Sequence, residues 1–313
     1  MADGHGPRAP APLRRATMLA AVTYSIVARG EDGRLGVGVQ TCVMGVGAIC
    51  SWARAGVGAV ATQAFSERAY GPRLLDRLAS GESPGQALQA LRAEDDRREQ
   101  RQVAVVAADG SVAAFTGTET IPEAGDVQAD GVSCQANMMA RPGVPDAMRE
   151  AYLRSTGSLE RRILAALDAA EAAGGDFRGR QSAALLVVEA KPADEPWQGV
   201  VTDLRVDDDP SPLEALRRLV DVAEAYRLMS TGTEAARSGA IEEAVRSAAR
   251  ARELAPDDQN VLAFDAILRA GAGDPEPLRE LIARRPGTIH LVEWLRAHGQ
   301  AQLSDETMEA LRR

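Results

Sequence analysis

The chain has three histidines, His5, His290 and His298, so residues 6 to 289 contain none. Chemistry in the main body must therefore find its base in a carboxylate, thiol, hydroxyl or amine, and a Ser-His-Asp or Cys-His arrangement is excluded there. Cys42, Cys50 and Cys134 form no C-x-x-C pair and have no histidine to join them in a zinc site. They read as small core fillers. Asp207-Asp208-Asp209-Pro210 places three carboxylates in a row. Adjacent residues on an extended chain do not converge on one ion, so the run reads as a solvated turn and helix cap. No metal and no cofactor is expected. Thr23 offers a different route. If the bond before it is cut, one residue carries a hydroxyl nucleophile and an α-amine base, and that amine, with a reference pKa of about 7.7–8.0, is partly unprotonated at neutral pH. Uncut, Thr23 is a β-branched residue opening a strand.

The elements that would position Thr23 follow from periodicity. Thr23 to Val39 reads as strand, turn and strand, with Gly30-Glu31-Asp32-Gly33 as the turn and glycines on one face of the second strand. Residues 46–50 and 56–61 read as two short strands linked through Trp52-Ala53-Arg54-Ala55. A helix from Gly71 to Leu78 follows, then a second capped by Ser83 with Pro84 at its first position, ending near Ala93. Strands at 102–107 and 111–116 flank the hairpin signal Asp109-Gly110. A strand at 132–135, helices at 145–154 and 158–172, and strands at 182–188 and 200–206 complete the region. Two stacked sheets with helices on both outer faces bury such an order economically. A helix leaves from Pro212, and strand signal then almost ceases.

That last region resembles a tetratricopeptide repeat opened by Ala225, with small or turn residues at Gly232, Gly239, Ala244 and Ala251, then Leu254 and Pro256. Such units bury their faces against neighbours, so an accessory helical domain packed on the first is expected. The domain limits are 1–22 as an N-terminal extension or propeptide, 23–210 as the main domain and 211–313 as the helical one. The formal charge of −9, from 36 basic and 45 acidic residues, argues against nucleic acid or an anionic membrane as partner. No stretch is long and apolar enough to span a bilayer, and a cytoplasmic location is expected.

Three longer stretches carry a family resemblance: Thr23-Tyr24-Ser25-Ile26-Val27-Ala28-Arg29; residues 52–64, from Trp52 to Ala64; and Gly179-Arg180-Gln181-Ser182-Ala183-Ala184-Leu185. Gly174-Gly175-Asp176 and Leu204-Arg205-Val206-Asp207-Asp208 belong with them. Over about 23–220 the chain resembles domain-of-unknown-function family 1028, placed in the N-terminal nucleophile (Ntn) hydrolase superfamily. The resemblance implies an α+β fold, a four-layer αββα sandwich like the proteasome subunits, with the tetratricopeptide-like all-α domain behind it. It implies an amide-cleaving enzyme or a relative of one, without naming a substrate.

Carried onto this sequence, Thr23 is the nucleophile and its own amine the base. Arg54, about thirty residues on, falls near the position where proteasome-like relatives keep a lysine beside the nucleophile, and would act electrostatically. Asn137 would line an oxyanion hole. Asp176 and Ser182 would support the threonine amine. Thr62 and Gln63 would face the pocket, and Arg178 and Arg180 would grip a substrate carboxylate. Each has a plainer reading, as turn, cap, strand or surface residue. The expected activity is hydrolysis of a small-molecule amide through an acyl-enzyme, after removal of the residues preceding Thr23. The alternative is a non-catalytic scaffold whose helical tail recruits a peptide or mediates homo-oligomer formation.

Overall fold

The computed structural model describes residues 23–312; the extension 1–22 and the Val22–Thr23 bond lie outside them. Strands β1 (Thr23–Arg29) and β2 (Leu35–Thr41) form the expected hairpin, in a register that sets Thr23 opposite Thr41. Next come β3 (Ser51–Arg54), β4 (Gly58–Ala64), α1 (Tyr70–Ala79), α2 (Pro84–Ala93), β5 (Arg101–Ala107) and β6 (Val112–Thr116). Then follow β7 (Gly125–Ala129), β8 (Val132–Ala136), α3 (Val144–Arg154), α4 (Leu159–Ala172), β9 (Ser182–Val188) and β10 (Val200–Val206). The strands make two antiparallel sheets, one ordered β10-β9-β2-β1-β8-β7 and the other β3-β4-β5-β6. The protein is a mixed α+β fold.

Strand alternation assigns each side chain to a face. Tyr24, Ile26 and Ala28 of β1 join Cys134 and Leu185 in a core with Met148, Ile163 and Leu167 of α3 and α4. Val27 points the other way, into a band with Val37, Ala59, Ala104 and Val106 between the sheets. Val60, Val103 and Val105 pack outward on Leu74, Leu88 and Leu91 of α1 and α2. The glycine-rich face of β2 has a packing cause. A Cβ on Gly38 would lie 2.3 Å from Ile163 Cγ2, so only glycine lets α4 approach β2 this closely. The Ser83 cap is present as expected, reciprocated by Gln86 in a capping box.

One local expectation fails and one strand went unforeseen. Residues 46–50 are not a strand: Val46–Ala48 is one 3₁₀ turn, and the strand is β3. Val46 and Cys50 are four apart, and both pack on Val39 and Ala184, so their apolar spacing is helical rather than alternating. Edge strand β7 was not expected, being short and half-buried without an apolar run.

Helix α5 (Pro212–Arg237) runs straight through the middle of the expected repeat opening, Ala225, rather than starting a new unit there. Its first part is tied to α4 by Arg217–Asp168 at 2.6 Å and by Arg161, whose guanidinium reaches Asp221 at 2.6 Å and Glu224 at 2.8 Å. Its second part crosses α6 (Ile241–Leu254) at Gly232, where a Cβ would meet Ser247 Cβ at 3.2 Å. Helices α7 (Gln259–Gly271), α8 (Glu276–Arg284), α9 (Thr288–Ala297) and α10 (Asp305–Arg312) follow, sharing a core that includes Ile267, Leu278, Val292 and Met308. No helix among the described residues is long and apolar enough to cross a membrane.

Candidate active site

Thr23 opens the hairpin strand β1 in the middle of the larger sheet, and with Ser25 and Val27 it shares the face turned toward the smaller sheet. It is fully buried. Its Oγ1 lies 3.5 Å from that of Thr41, and the register continues from Thr41 to Ser182, so three hydroxyl residues stand in a row across β1, β2 and β9.

Above that row the two sheets meet through side-chain amides. The Thr23 carbonyl accepts the Asn137 backbone N–H at 3.1 Å, Gln63 Nε2 at 3.2 Å and Asn137 Nδ2 at 3.4 Å. Gln63 and Asn137 also donate to the same oxygen of Gln102, at 2.6 and 2.9 Å. A second chain of bonds supports Gln63: Ser133 donates to Gln135, Gln135 to Ser25 Oγ at 2.6 Å, and Ser25 to Gln63 Oε1 at 2.6 Å. All of these residues are buried, so each amide is oriented by partners rather than by water.

The backbone here is strained as well. The three non-glycine residues with positive φ among the described residues are Ala64, at 64°, and Glu123 and Met138, each at 55°. Ala64 follows Gln63, Met138 follows Asn137, and the Glu123 carbonyl accepts the Met139 N–H. Such conformations cost about 1–3 kcal/mol each and cluster where geometry is held for function.

Of the residues singled out in the sequence, Thr23, Gln63 and Asn137 come together. Asn137 is placed differently from the oxyanion donor expected of it: its backbone N–H and its amide are directed at the Thr23 carbonyl and Gln102. Asp176 and Ser182 form a supporting tier. Asp176 accepts the Cys42 N–H at 3.3 Å and the Arg178 N–H at 2.9 Å, while Ser182 Oγ accepts the Val46 N–H at 3.1 Å and donates to the Val43 carbonyl. Ser182 stands two strands from Thr23, roughly 9–10 Å by strand spacing. Both residues thus shape the loop after β2.

The remaining residues lie elsewhere. Arg54 pairs with Gly58 across the β3–β4 hairpin, five residues along β4 from Gln63, or about 16 Å. There its guanidinium is engaged by Asp76 of α1 at 2.7 Å. Thr62 shares the outward face of Val60 and donates to the Glu67 carbonyl at 3.2 Å. Arg178 is paired with Asp176 at 3.3 Å. Arg180 pairs with Glu171 at 3.1 Å on the helix side of the sheet, beside a cleft of about 450 Å³ shared with Asp168 and Arg217. The Tyr24 phenol, on that same side, donates to Glu171 at 2.7 Å, and burial, then the Glu171 charge, push it well above its ordinary range.

Sequence reasoning missed Thr41, Ser25, Gln102 and Gln135. The available signal was a polar residue at a core-facing step of an otherwise apolar strand. Burial, then the Asp176 carboxylate, raise the Cys42 thiol to about 11, and burial raises Cys50 to about 12, so neither is an activated nucleophile. Among the described residues no three His, Cys, Asp or Glu side chains gather in a metal-holding group.

The sequence profile of a family of unknown function, DUF1028, matches residues 23–216. The chain belongs to DUF1028. The match begins at Thr23 and ends just inside α5. A crystal structure of protein SPO2555 from Silicibacter pomeroyi, assigned to DUF1028, is similar to this chain with 34% identity and a TM-score of 0.58. The similarity covers 64% of this chain and 88% of that one. No curated protein matches.

Proposed function

We infer that this DUF1028 member is an N-terminal threonine amidohydrolase, with the αββα sandwich of Ntn hydrolases and a tetratricopeptide-like tail. The observation that carries the reading is the buried amide cage closed on Thr23, the first residue of β1, with strained backbone at Ala64 and Met138 beside it. A structural strand opening has no need of three donors on its first carbonyl. The helix–sheet–sheet–helix order of the apolar bands supports the fold assignment. The small residues at the α5–α6 crossing support the tail assignment.

In the mature chain, Thr23 Oγ1 gives its proton to the Thr23 amine and attacks the substrate carbonyl. The amine returns that proton to the leaving nitrogen, and water then cleaves the acyl ester by the same route. Gln63 and Asn137 hold the Thr23 backbone so that the hydroxyl and the amine keep their mutual geometry. Arg54 has no part in this.

Intact-mass measurement of C-terminally tagged protein tests the reading. A mass starting at Thr23 is expected, and Thr23→Ala is expected to stay uncut and lose amide hydrolysis by about three orders of magnitude. An intact Val22–Thr23 bond in protein that still cleaves amides would remove the threonine mechanism, and an intact bond in protein that cleaves none would leave the scaffold.

A further inference from the structure

We propose that the Thr23 site takes amides whose acyl side carries an apolar group, seated against Met44 and Phe177, rather than carboxylate-bearing substrates. This rests on the threonine-hydrolase reading and adds the substrate class to it.

Met44 and Phe177 are 63% and 57% exposed, two of eight exposed large apolar side chains among the described residues. Both sit on loops fastened beside Thr23. Met44 is three residues past Thr41, on a segment held by Ser182 at Val43 and Val46 and by the Asp207 carbonyl at Gly45. Phe177 follows Asp176, whose carboxylate accepts the Cys42 N–H, and its own N–H reaches the Met138 carbonyl at 3.4 Å. The two loops are thus tied to each other and to the strained turn after Asn137. Apolar side chains left in solvent on backbones anchored through Thr41 and Asn137, the partners of Thr23, fit an apolar ligand group at low ordering cost.

Arg178 and Arg180, the cations of the Phe177 loop, are matched by Asp176 and Glu171, so neither brings an unopposed positive charge for a substrate carboxylate. An independent observation comes from the sequence. The bond cut to free Thr23 has Ala20-Ala21-Val22 on its acyl side, so if the chain processes itself, its first acyl group is apolar.

The test uses the full chain with a C-terminal tag and two tripeptide epoxyketones, one ending in leucine and one in glutamate. Such reagents add to the hydroxyl and amine of an N-terminal threonine without a leaving group, so intact mass reads both the N-terminus and the labelling. The leucyl reagent should label about tenfold faster than the glutamyl one, and Met44→Asp with Phe177→Asp should abolish that preference. Both side chains are exposed, so an unchanged melting temperature confirms the variant is folded. If the mass starts at Thr23 but the glutamyl reagent reacts as fast, neither reagent adds, or the double variant keeps the preference, the apolar subsite is overturned and the hydrolase stands. If the mass does not start at Thr23, the hydrolase reading fails, and this proposal with it.

Discussion

Gln102 is the point where the two sheets share one side chain, so its removal reports on the whole cage. Its Nε2 lies 2.9 Å from Thr116 Oγ1, 2.9 Å from the Ala136 carbonyl and 3.1 Å from the Gly125 carbonyl. Two N–H groups can serve two of these at a time. Its oxygen accepts from Gln63 and Asn137. In Gln102→Leu those two amides keep only the Thr23 carbonyl, which already accepts from both and from the Asn137 backbone N–H. That oxygen has no room for a further bond, so at least one amide N–H is orphaned, and at least one of the carbonyls that Gln102 served loses its donor too. At about 1–3 kcal/mol per buried group left unpaired, two such groups give an expected loss of about 2–6 kcal/mol. Exposed Gln128→Leu should change stability by less than about 0.5 kcal/mol. Urea unfolding followed by fluorescence and circular dichroism measures both variants. A Gln102→Leu midpoint matching that of Gln128→Leu would refute the cage as drawn.

Gly38→Ala should cost about 1–3 kcal/mol because its Cβ collides with Ile163, and Ile163→Ala in the same chain should recover part of that, a coupling readable in a double-mutant cycle. Cys42 should alkylate slowly at neutral pH, with a rate still rising through pH 10, since its raised thiol holds roughly hundredfold less thiolate than an ordinary cysteine. Asp176→Asn removes the charge that, after burial, raises it and should speed iodoacetamide labelling severalfold by mass. Arg54→Ala should leave chain processing unchanged and shift stability by less than about 1 kcal/mol, because its ion pair with Asp76 is exposed. A processing defect in that variant would return Arg54 to the site.

The hairpin β1–β2, the capped α2 and the strand–helix order were legible because period and turn chemistry agreed in each. β7 was not. Its residues Gly125–Ala129 alternate weakly, though Asp130-Gly131, with Gly131 at φ 67°, was a hairpin signal at its end. Of the residues gathered around Thr23, Gln63 and Asn137 were singled out by residue type, though for other parts, whereas Gln102 and Gln135 were not. Their weight comes from strand pairing, which joins Gln135 to Ser25 110 positions away, and from sheet packing, which brings Gln102 to Asn137. Arg54 shows the opposite error. Counting residues from Thr23 measured chain length, while the β3–β4 hairpin decides which end of the sheet a residue reaches.

Helix α5, 26 residues and about 39 Å long, belongs at its start to the sheets and at its end to the helical tail. It works as a strut rather than a tether. The far helices are joined to the sheets through continuous helix, with no swinging arm between them. Removing the tail therefore means sawing through a helix, and a clean cut must come with a new cap for the stump.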